Sequence, residues 1–264
     1  MAVLATVCFK RFSPILAHIL VCADLIDRCL LFRQGVAMGE GSLSDMYRLD
    51  TATGTWSEVP MTGAVPEARS YHAMAAIGTR LYVFGGCTRS GRLNDLHAFD
   101  TDTGVWRKLP TCDNILGRGG AGLTSVGTKL FVVGGFAGRE MGDVHEFDTE
   151  LSEWRQIEAT PPLPPRSVCG VASLGSRIVV IGGEVDPSSE GHAGAGRFSD
   201  DVYVFDTENE QGGWERVVPG GDTRFSPRGW FPASAVGDNA ILVFGGCAPD
   251  NSRLDDSFLL QRGK

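Results

Sequence analysis

The sequence predicts an all-β fold built from several similar antiparallel sheets, and three observations lead to this fold class. The chain repeats itself from residue 43 onward, with complete copies at 69–110, 118–157 and 166–217. Each copy contains an apolar run that ends in Gly-Gly. Glycine supplies 35 of the 264 residues without a collagen period, which is typical of many tight turns between short strands. Roughly 50 residues per copy predict a β-propeller of four-stranded antiparallel blades.

The strands of a blade follow one another in the same order in every copy. An arginine precedes a short alternating run, and a polar turn leads to a continuous apolar run such as LYVF at 81–84, as expected for a strand buried on both faces. Gly-Gly lets the chain leave that strand with positive φ. A third run ends in Asp, and an Asp/Gly turn leads to a tryptophan that could fill the wedge between blades. The tryptophans are Trp56, Trp106, Trp154 and Trp214, and the glycine pairs are 85–86, 134–135, 182–183 and 245–246.

The repeat is partial at both ends of the chain. A fourth copy at 228–260 stops before its tryptophan, and the fragment 43–59 is the back half of another copy. Residues 1–35 show no repeat pattern, so we expect them to lie outside a propeller formed by residues 43–264. Either the ring is incomplete at its N-terminus or the first segment is foreign to the fold. The second explanation is favoured because an open sheet edge promotes aggregation.

Composition excludes some partners. The net charge of −8 and the lack of any basic run argue against nucleic acid. The apolar N-terminal stretch is interrupted by Lys10, Arg11, Asp24, Asp27 and Arg28, so neither a membrane span nor a signal peptide is predicted. Seven cysteines without a CxxC pair argue against a disulfide framework and a structural zinc site. The sequence therefore predicts a reducing compartment, most simply the cytoplasm.

The loops of a propeller carry its function, and the longest loop here follows the third Gly-Gly. It spans residues 184–201 and contains Glu184, Asp186, Ser188 and His192. Two ligand-type side chains alone do not define a metal site. A solvated insertion whose acids face water is therefore the alternative interpretation of this loop.

The repeat resembles the kelch motif, in which Gly-Gly after an apolar strand is followed by spaced aromatic residues and a tryptophan. Four stretches are similar, more narrowly, to the plant specifier proteins: EVDPSSEGHAGAGRF (184–198), EARSYHAM (67–74), GRGGAGL (117–123) and PRGW (227–230). That resemblance implies a kelch propeller that uses Fe(II). It would divert the aglucones released from glucosinolates by myrosinase to nitriles, epithionitriles or thiocyanates.

The specifier-protein motif carries over onto this sequence only in part. Glu184 and His192 match the ends of its Glu-x3-Asp-x3-His metal motif, but Ser188 stands where the middle carboxylate is expected, and Asp186 lies two residues early. A neutral hydroxyl in place of an anion weakens the attraction for a divalent cation.

The resemblance also assigns substrate contacts to Tyr71, Arg92 and Trp230, with the arginine suited to a sulfate group. Blade packing is the alternative role for Tyr71 and Trp230. Arginine recurs before each blade, which indicates a structural role for Arg69, Arg118, Arg166 and Arg228.

Two functions are therefore expected from the sequence. The first is a nitrile-forming lyase-type activity on a thiohydroximate-O-sulfate, impaired by the missing carboxylate. The alternative is a non-catalytic kelch module that binds another protein on its loop face.

Overall fold

The computed structural model describes residues 23–26, 29–33, 36–37, 41–42, 44–187, 196–221 and 224–263, with side chains from residue 44 onward. These residues form antiparallel sheets arranged as a β-propeller, so the predicted fold class is confirmed. The innermost strands of successive sheets contact one another in chain order. Helix is restricted in the described ranges to a 3-10 turn at Glu210–Gly212. No helix among them is long and apolar enough to cross a membrane.

The first blade is complete, which differs from the expectation for residues 1–35. Its strands, from the inside outward, are β1 (Ala23–Ile26), β2 (Cys29–Arg33), β5 (Met46–Asp50) and β6 (Thr55–Glu58). A ribbon of β3 (Val36–Ala37) and β4 (Gly41–Ser42) lies between β2 and β5. The expectation that this segment lies outside the ring was wrong for β1 and β2. The apolar run of β2 pairs with β5 as the equivalent strands do in the other copies. Strand pairing depends on backbone hydrogen bonds, so β2 forms although it is not followed by the Gly-Gly of the other copies.

The second, third and fourth blades correspond to the three complete copies. The second blade consists of β8 (Ala73–Ile77), β9 (Arg80–Thr88), β10 (Gly91–Asp100), β11 (Val105–Lys108) and the short parallel strand β7 (Thr62–Gly63). The third consists of β12 (Gly122–Val126), β13 (Lys129–Phe136), β14 (Glu140–Asp148) and β15 (Glu153–Ile157). The fourth consists of β16 (Gly170–Leu174), β17 (Arg177–Ile181), β20 (Val202–Asp206) and β21 (Trp214–Val217), with a ribbon of β18 (Glu184–Asp186) and β19 (Arg197–Phe198).

The fifth sheet has three strands: β22 (Ala233–Val236), β23 (Ala240–Cys247) and β24 (Arg253–Gln261). This agrees with the fourth copy, which stops before its tryptophan. Phe244 occupies the position of Phe84 in the second blade, yet it is 49% exposed, whereas Phe84 is 1% exposed. The difference arises because the third blade covers Phe84.

Three of the repeated tryptophans, Trp106, Trp154 and Trp214, pack between blades as predicted, whereas Trp56 is exposed. Trp106 is 1% exposed and packs on Phe99 with ring centroids 5.0 Å apart. Trp154 lies 6.1 Å from Phe84 of the preceding blade, and its indole N–H donates to the carbonyl of Pro110 over 2.8 Å. The contacts of Trp154 join the third blade to the second.

The repeated arginines hold the Gly-Gly loops. Arg69, Arg118, Arg166 and Arg228 are almost fully buried, and each donates to the carbonyl of the first glycine of its pair. Three of them also bind an aspartate with both terminal nitrogens, as Arg118 does with Asp143 over 2.6 and 2.9 Å. The structural role predicted for these arginines is confirmed.

Candidate functional site

The entrance of the central channel is built from one unusual backbone position in each of four blades. Tyr71, Gly120, Val168 and Trp230 each follow a structural arginine by two residues and lie two or three residues before the start of an innermost strand. Their φ angles are 54°, 62°, 46° and 56°, in the left-handed region. This conformation is rare for any residue with a side chain and costs most for a β-branched one such as Val168.

A chain of backbone hydrogen bonds explains how these residues are held. The Gly120 N–H donates to the Tyr71 carbonyl over 2.9 Å, the Val168 N–H to the Gly120 carbonyl over 2.8 Å, and the Trp230 N–H to the Val168 carbonyl over 2.9 Å. The bonds run around the ring from blade to blade. They fix the backbone of the entrance from one blade to the next.

Two further positions in each blade complete the entrance. The residue after each Gly-Gly pairs across its hairpin with a residue on the returning strand. These pairs are Cys87 with Arg92, Phe136 with Glu140, Glu184 with Phe198, and Cys247 with Arg253. We call these eight residues, together with Tyr71, Gly120, Val168 and Trp230, the channel mouth. The positions are equivalent in space but differ in chemistry, whereas the buried arginine is the same in every copy.

The cationic groups of the channel mouth lie on aromatic rings. The Arg92 guanidinium is 4.7 Å from the ring centroid of Phe136, and that of Arg253 is 5.8 Å from the ring of Trp230. Phe198 contacts Trp230 edge-on with centroids 5.6 Å apart. Within the described part of the chain neither Arg92 nor Arg253 has an ion-pair partner, and both are exposed. Both guanidinium groups are therefore accessible to an anionic group of a ligand.

The acidic groups of the channel mouth are buried. Glu140 and Glu184 are each 8% exposed. The pKa of Glu140 is raised to about 7, chiefly by burial and in addition by the carboxylates of Glu184 and Asp186, while the Ser167 hydroxyl opposes the shift. The Gly196 N–H donates to Glu184 over 2.8 Å.

The thiols of the channel mouth are not activated. Burial is the largest cause of the raised pKa of Cys87 and of Cys247. A raised pKa keeps a thiol protonated at neutral pH, and the thiolate is the nucleophilic form. The arrangement therefore suits binding better than nucleophilic chemistry.

The structure brings several of the sequence-predicted site residues together. Tyr71, Arg92, Trp230 and Glu184 all belong to the channel mouth. Asp186 does not point to a common centre with them, because it forms a 2.6 Å ion pair with Arg197 on the exposed side of the ribbon. Ser188 and His192 lie outside the described residues.

The predicted iron site is not formed by the described residues alone. No group of three or more His, Cys, Asp or Glu side chains suited to a metal ion occurs among them. Glu184 already accepts a backbone hydrogen bond, and Asp186 is paired with Arg197. The donor set present in the described ranges therefore does not fit Fe(II) without further ligands.

Sequence reasoning missed Glu140 and Arg253. Both occupy the hairpin position of Arg92 in their own blades. The signal lies in the strand register. The number of residues between Gly-Gly and this position differs from copy to copy, so sequence spacing alone does not align them.

Comparison with known families agrees with this architecture. Residues 11–183 match the KLHDC2/KLHL20/DRC7 Kelch-repeats domain, and residues 165–218 match the Kelch motif. The chain belongs to the kelch-repeat family. The match begins within the segment that the sequence analysis assigned outside the propeller.

Curated relatives match over one short stretch. The chain is similar to tRNA wybutosine-synthesizing protein 2/3/4 of Arabidopsis thaliana, with 46% identity over 44 residues. It is also similar to host cell factor 2 of Homo sapiens and host cell factor 1 of Rattus norvegicus, each with 43% identity over 44 residues. Each match covers 17% of this chain and 4%, 6% and 2% of the respective relative. The similarity therefore extends to about one repeat of much longer proteins.

Proposed function

We propose that this kelch propeller is a protein-interaction module that binds a segment of a partner at the channel mouth. The observation that carries the proposal is the contrast between equivalent positions in the blades. The buried arginine is the same in every complete copy, whereas the mouth positions vary. They hold exposed arginines and partly buried aromatic side chains on a backbone joined between blades by hydrogen bonds. Arginine and large aromatic residues dominate binding energy at interfaces. A backbone fixed in advance reduces the ordering cost of binding.

The test is a selection of random peptides displayed on phage against the immobilised protein. Peptides enriched on the parent should lose about tenfold or more in affinity for Arg253→Ala and for Trp230→Ala, because each change removes one member of the stacked pair. Lys108→Ala, on the outer strand β11, is the matched control and should bind like the parent. Failure to enrich any peptide, or equal binding by all four proteins, contradicts the proposal.

The second candidate is the nitrile-forming activity that the specifier resemblance implies. One observation favours it: Tyr71, Arg92 and Trp230 share the channel mouth with Glu184. In this proposal Fe(II) is held by Glu184 and His192, with Ser188 in the place of the third ligand. The substrate is an aglucone released by myrosinase.

This second candidate is tested by anaerobic titration of Fe(II) into the parent, Ser188→Asp and Asp186→Ala. Nitrile is then measured after mixing each protein with myrosinase and a glucosinolate. Ser188→Asp should bind Fe(II) more tightly and form more nitrile, because it restores a hard anionic oxygen. Asp186→Ala distinguishes a ligand from an ion-pair partner of Arg197, since only loss of a ligand lowers iron binding. No saturable binding and no nitrile in all three would remove the enzyme proposal.

Both candidates include a reducing compartment such as the cytoplasm. The described cysteines Cys87, Cys112, Cys169 and Cys247 are free thiols, which such a compartment maintains.

A further inference from the structure

Glu140 and Glu184 form an acid pair between the third and fourth blades. Glu140 begins strand β14, and Glu184 begins strand β18, which contacts β14. Glu184 is anchored by the backbone bridge to Ser167 and by the Gly196 N–H. Each carboxylate raises the electrostatic cost of ionising the other, so two such groups side by side are unfavourable without a compensating positive charge.

Among the described residues, buried Glu140 has no basic side chain as a partner, in contrast to buried Glu146. Within the part of the chain that the structure describes, neither of its oxygens has a hydrogen-bond partner of good geometry, although the Ser167 hydroxyl is near. The groups that act on it are this hydroxyl and two carboxylates, with no described basic side chain among them. By contrast, buried Glu146 accepts from Lys129 over 2.6 Å and also pairs with Arg155. A buried carboxylate without a cation is costly to keep charged, and an external cation would remove this cost.

The flanking blades supply charges of the opposite sign. Around the channel mouth the charged hairpin positions run Arg92, Glu140, Glu184 and Arg253 in blade order, which is positive, negative, negative and positive. The arginines are exposed and the acids are buried. A small bare cation would meet the acids but leave the arginines without partners. A peptide that carries both signs offers each of the four side chains a group of opposite charge.

We propose that the channel mouth binds a peptide through a lysine or arginine side chain inserted between Glu140 and Glu184, with acidic residues on either side of it reaching Arg92 and Arg253. This inference rests on the proposed interaction function and names the chemistry of the partner. An order of acidic, basic and acidic residues distinguishes it from a purely acidic or purely basic ligand.

The route to the acid pair passes the ribbon of β18 and β19. The oxygens of Glu140 are shielded from solvent and strand β14 contacts this ribbon, so in our proposal the basic group enters between β14 and the ribbon. The ribbon is held by two residue pairs with a bulge between them, and its ion pair between Asp186 and Arg197 is exposed. Exposed ion pairs contribute little, so this ion pair opposes a small shift of the outer part of the ribbon only weakly.

The experiment uses phage-displayed random peptides on the intact protein, followed by synthetic copies of the enriched peptides. We expect enrichment of a lysine or arginine flanked by aspartate or glutamate. Glu140→Gln and Glu184→Gln should each weaken these peptides by about tenfold or more, because both remove an anion and keep the shape of the side chain. Glu215→Gln, an exposed change on the outer strand β21, is the matched control and should bind like the parent.

A double-mutant cycle between protein and peptide distinguishes a direct contact of Glu140 with the basic residue from an indirect effect of the substitution on binding. Replacing the basic residue of the peptide by norleucine should weaken binding to the parent, while binding of the norleucine peptide should be the same for the parent and Glu140→Gln. Circular dichroism checks that the variants are folded. Enriched peptides without a basic residue, or basic peptides that bind Glu140→Gln and Glu184→Gln as tightly as the parent, overturn this inference and leave the interaction module standing. If no peptide is enriched on the parent, the proposed function fails and this inference fails with it.

Discussion

Replacing Trp106 by alanine tests the packing of the propeller most directly, because the chain contains its own control. Trp106 and Trp56 occupy the same position of the repeat in adjacent blades. Trp106 is 1% exposed and Trp56 is 40% exposed. The two substitutions change the same side chain in the same kind of strand, so their difference reports burial between blades.

The expected magnitude follows from the buried area. A tryptophan buries on the order of 150–250 Å² on folding, and at about 25 cal/mol per Å² this corresponds to roughly 4–6 kcal/mol as an upper limit. Trp106 also packs on Phe99 and donates its indole N–H to the sulfur of Met61 over 3.1 Å. We expect Trp106→Ala to lower the free energy of unfolding by about 3–5 kcal/mol, in the range of other buried aromatic deletions. Trp56→Ala should cost about 1–2 kcal/mol, since the residue is much less buried.

The assay is urea unfolding followed by far-ultraviolet circular dichroism, because tryptophan fluorescence changes with the substitution itself. The midpoints of the parent, Trp106→Ala and Trp56→Ala are compared at one protein concentration. Equal midpoints for the parent and Trp106→Ala would refute the packing argument, and so would a larger loss for Trp56→Ala than for Trp106→Ala.

Three further outcomes are expected. The pKa of Glu140 in the fold is about 7 and lies above its ordinary value of 4.5, so the folded state holds this proton more tightly. Its contribution is full below pH 4.5 and is lost as pH rises through 7. Stability measured by urea unfolding should therefore fall by about 1–3 kcal/mol over this window in the parent but not in Glu140→Gln. Gly120→Ala should destabilise the protein more than Gly127→Ala, although both glycines have positive φ. A Cβ at Gly120 would lie 2.7 Å from Val168, whereas one at Gly127 meets nothing within 4 Å. Equal melting temperatures of the two variants would contradict this. In the same unfolding assay, Arg118→Met should lower the free energy of unfolding by about 3–5 kcal/mol and Arg166→Met by about 1–3 kcal/mol. Of these two changes, only the loss of Arg118 leaves an aspartate without its bidentate partner. A larger loss for Arg166→Met would contradict this.

Much of the fold could be predicted from the sequence because the repeat encodes it several times. The buried apolar strands, the glycine pairs, the arginines and the tryptophans follow from periodicity and side-chain size alone. The first two strands could not be predicted in this way. Strand β2 lacks Gly-Gly, and its pairing with β5 depends on a backbone register that only the folded structure shows.

The candidate site was only partly accessible from the sequence. Tyr71, Arg92, Trp230 and Glu184 were found by resemblance, and the structure brings them to one entrance. Glu140 was not found, since nothing in its local sequence distinguishes it from a surface carboxylate. Its burial arises from the ribbon of the next blade, and a contact between two repeats is invisible to spacing within one repeat.

The fourth blade departs from the repeat at more than one place, and the departures are connected. Its arginine, Arg166, stacks 4.6 Å from the ring of Tyr203 instead of forming the bidentate aspartate pair of the other blades. The equivalent aspartate, Asp201, is bound by Ser199 and Arg216. The same blade carries Glu184 and the β18–β19 ribbon. Among the described blades, the fourth is thus the one in which the buried arginine contacts an aromatic ring in place of an aspartate and in which the residue after Gly-Gly is a buried acid. Both departures from the repeat fall in one blade, and this is the blade that supplies Glu184 to the proposed peptide site.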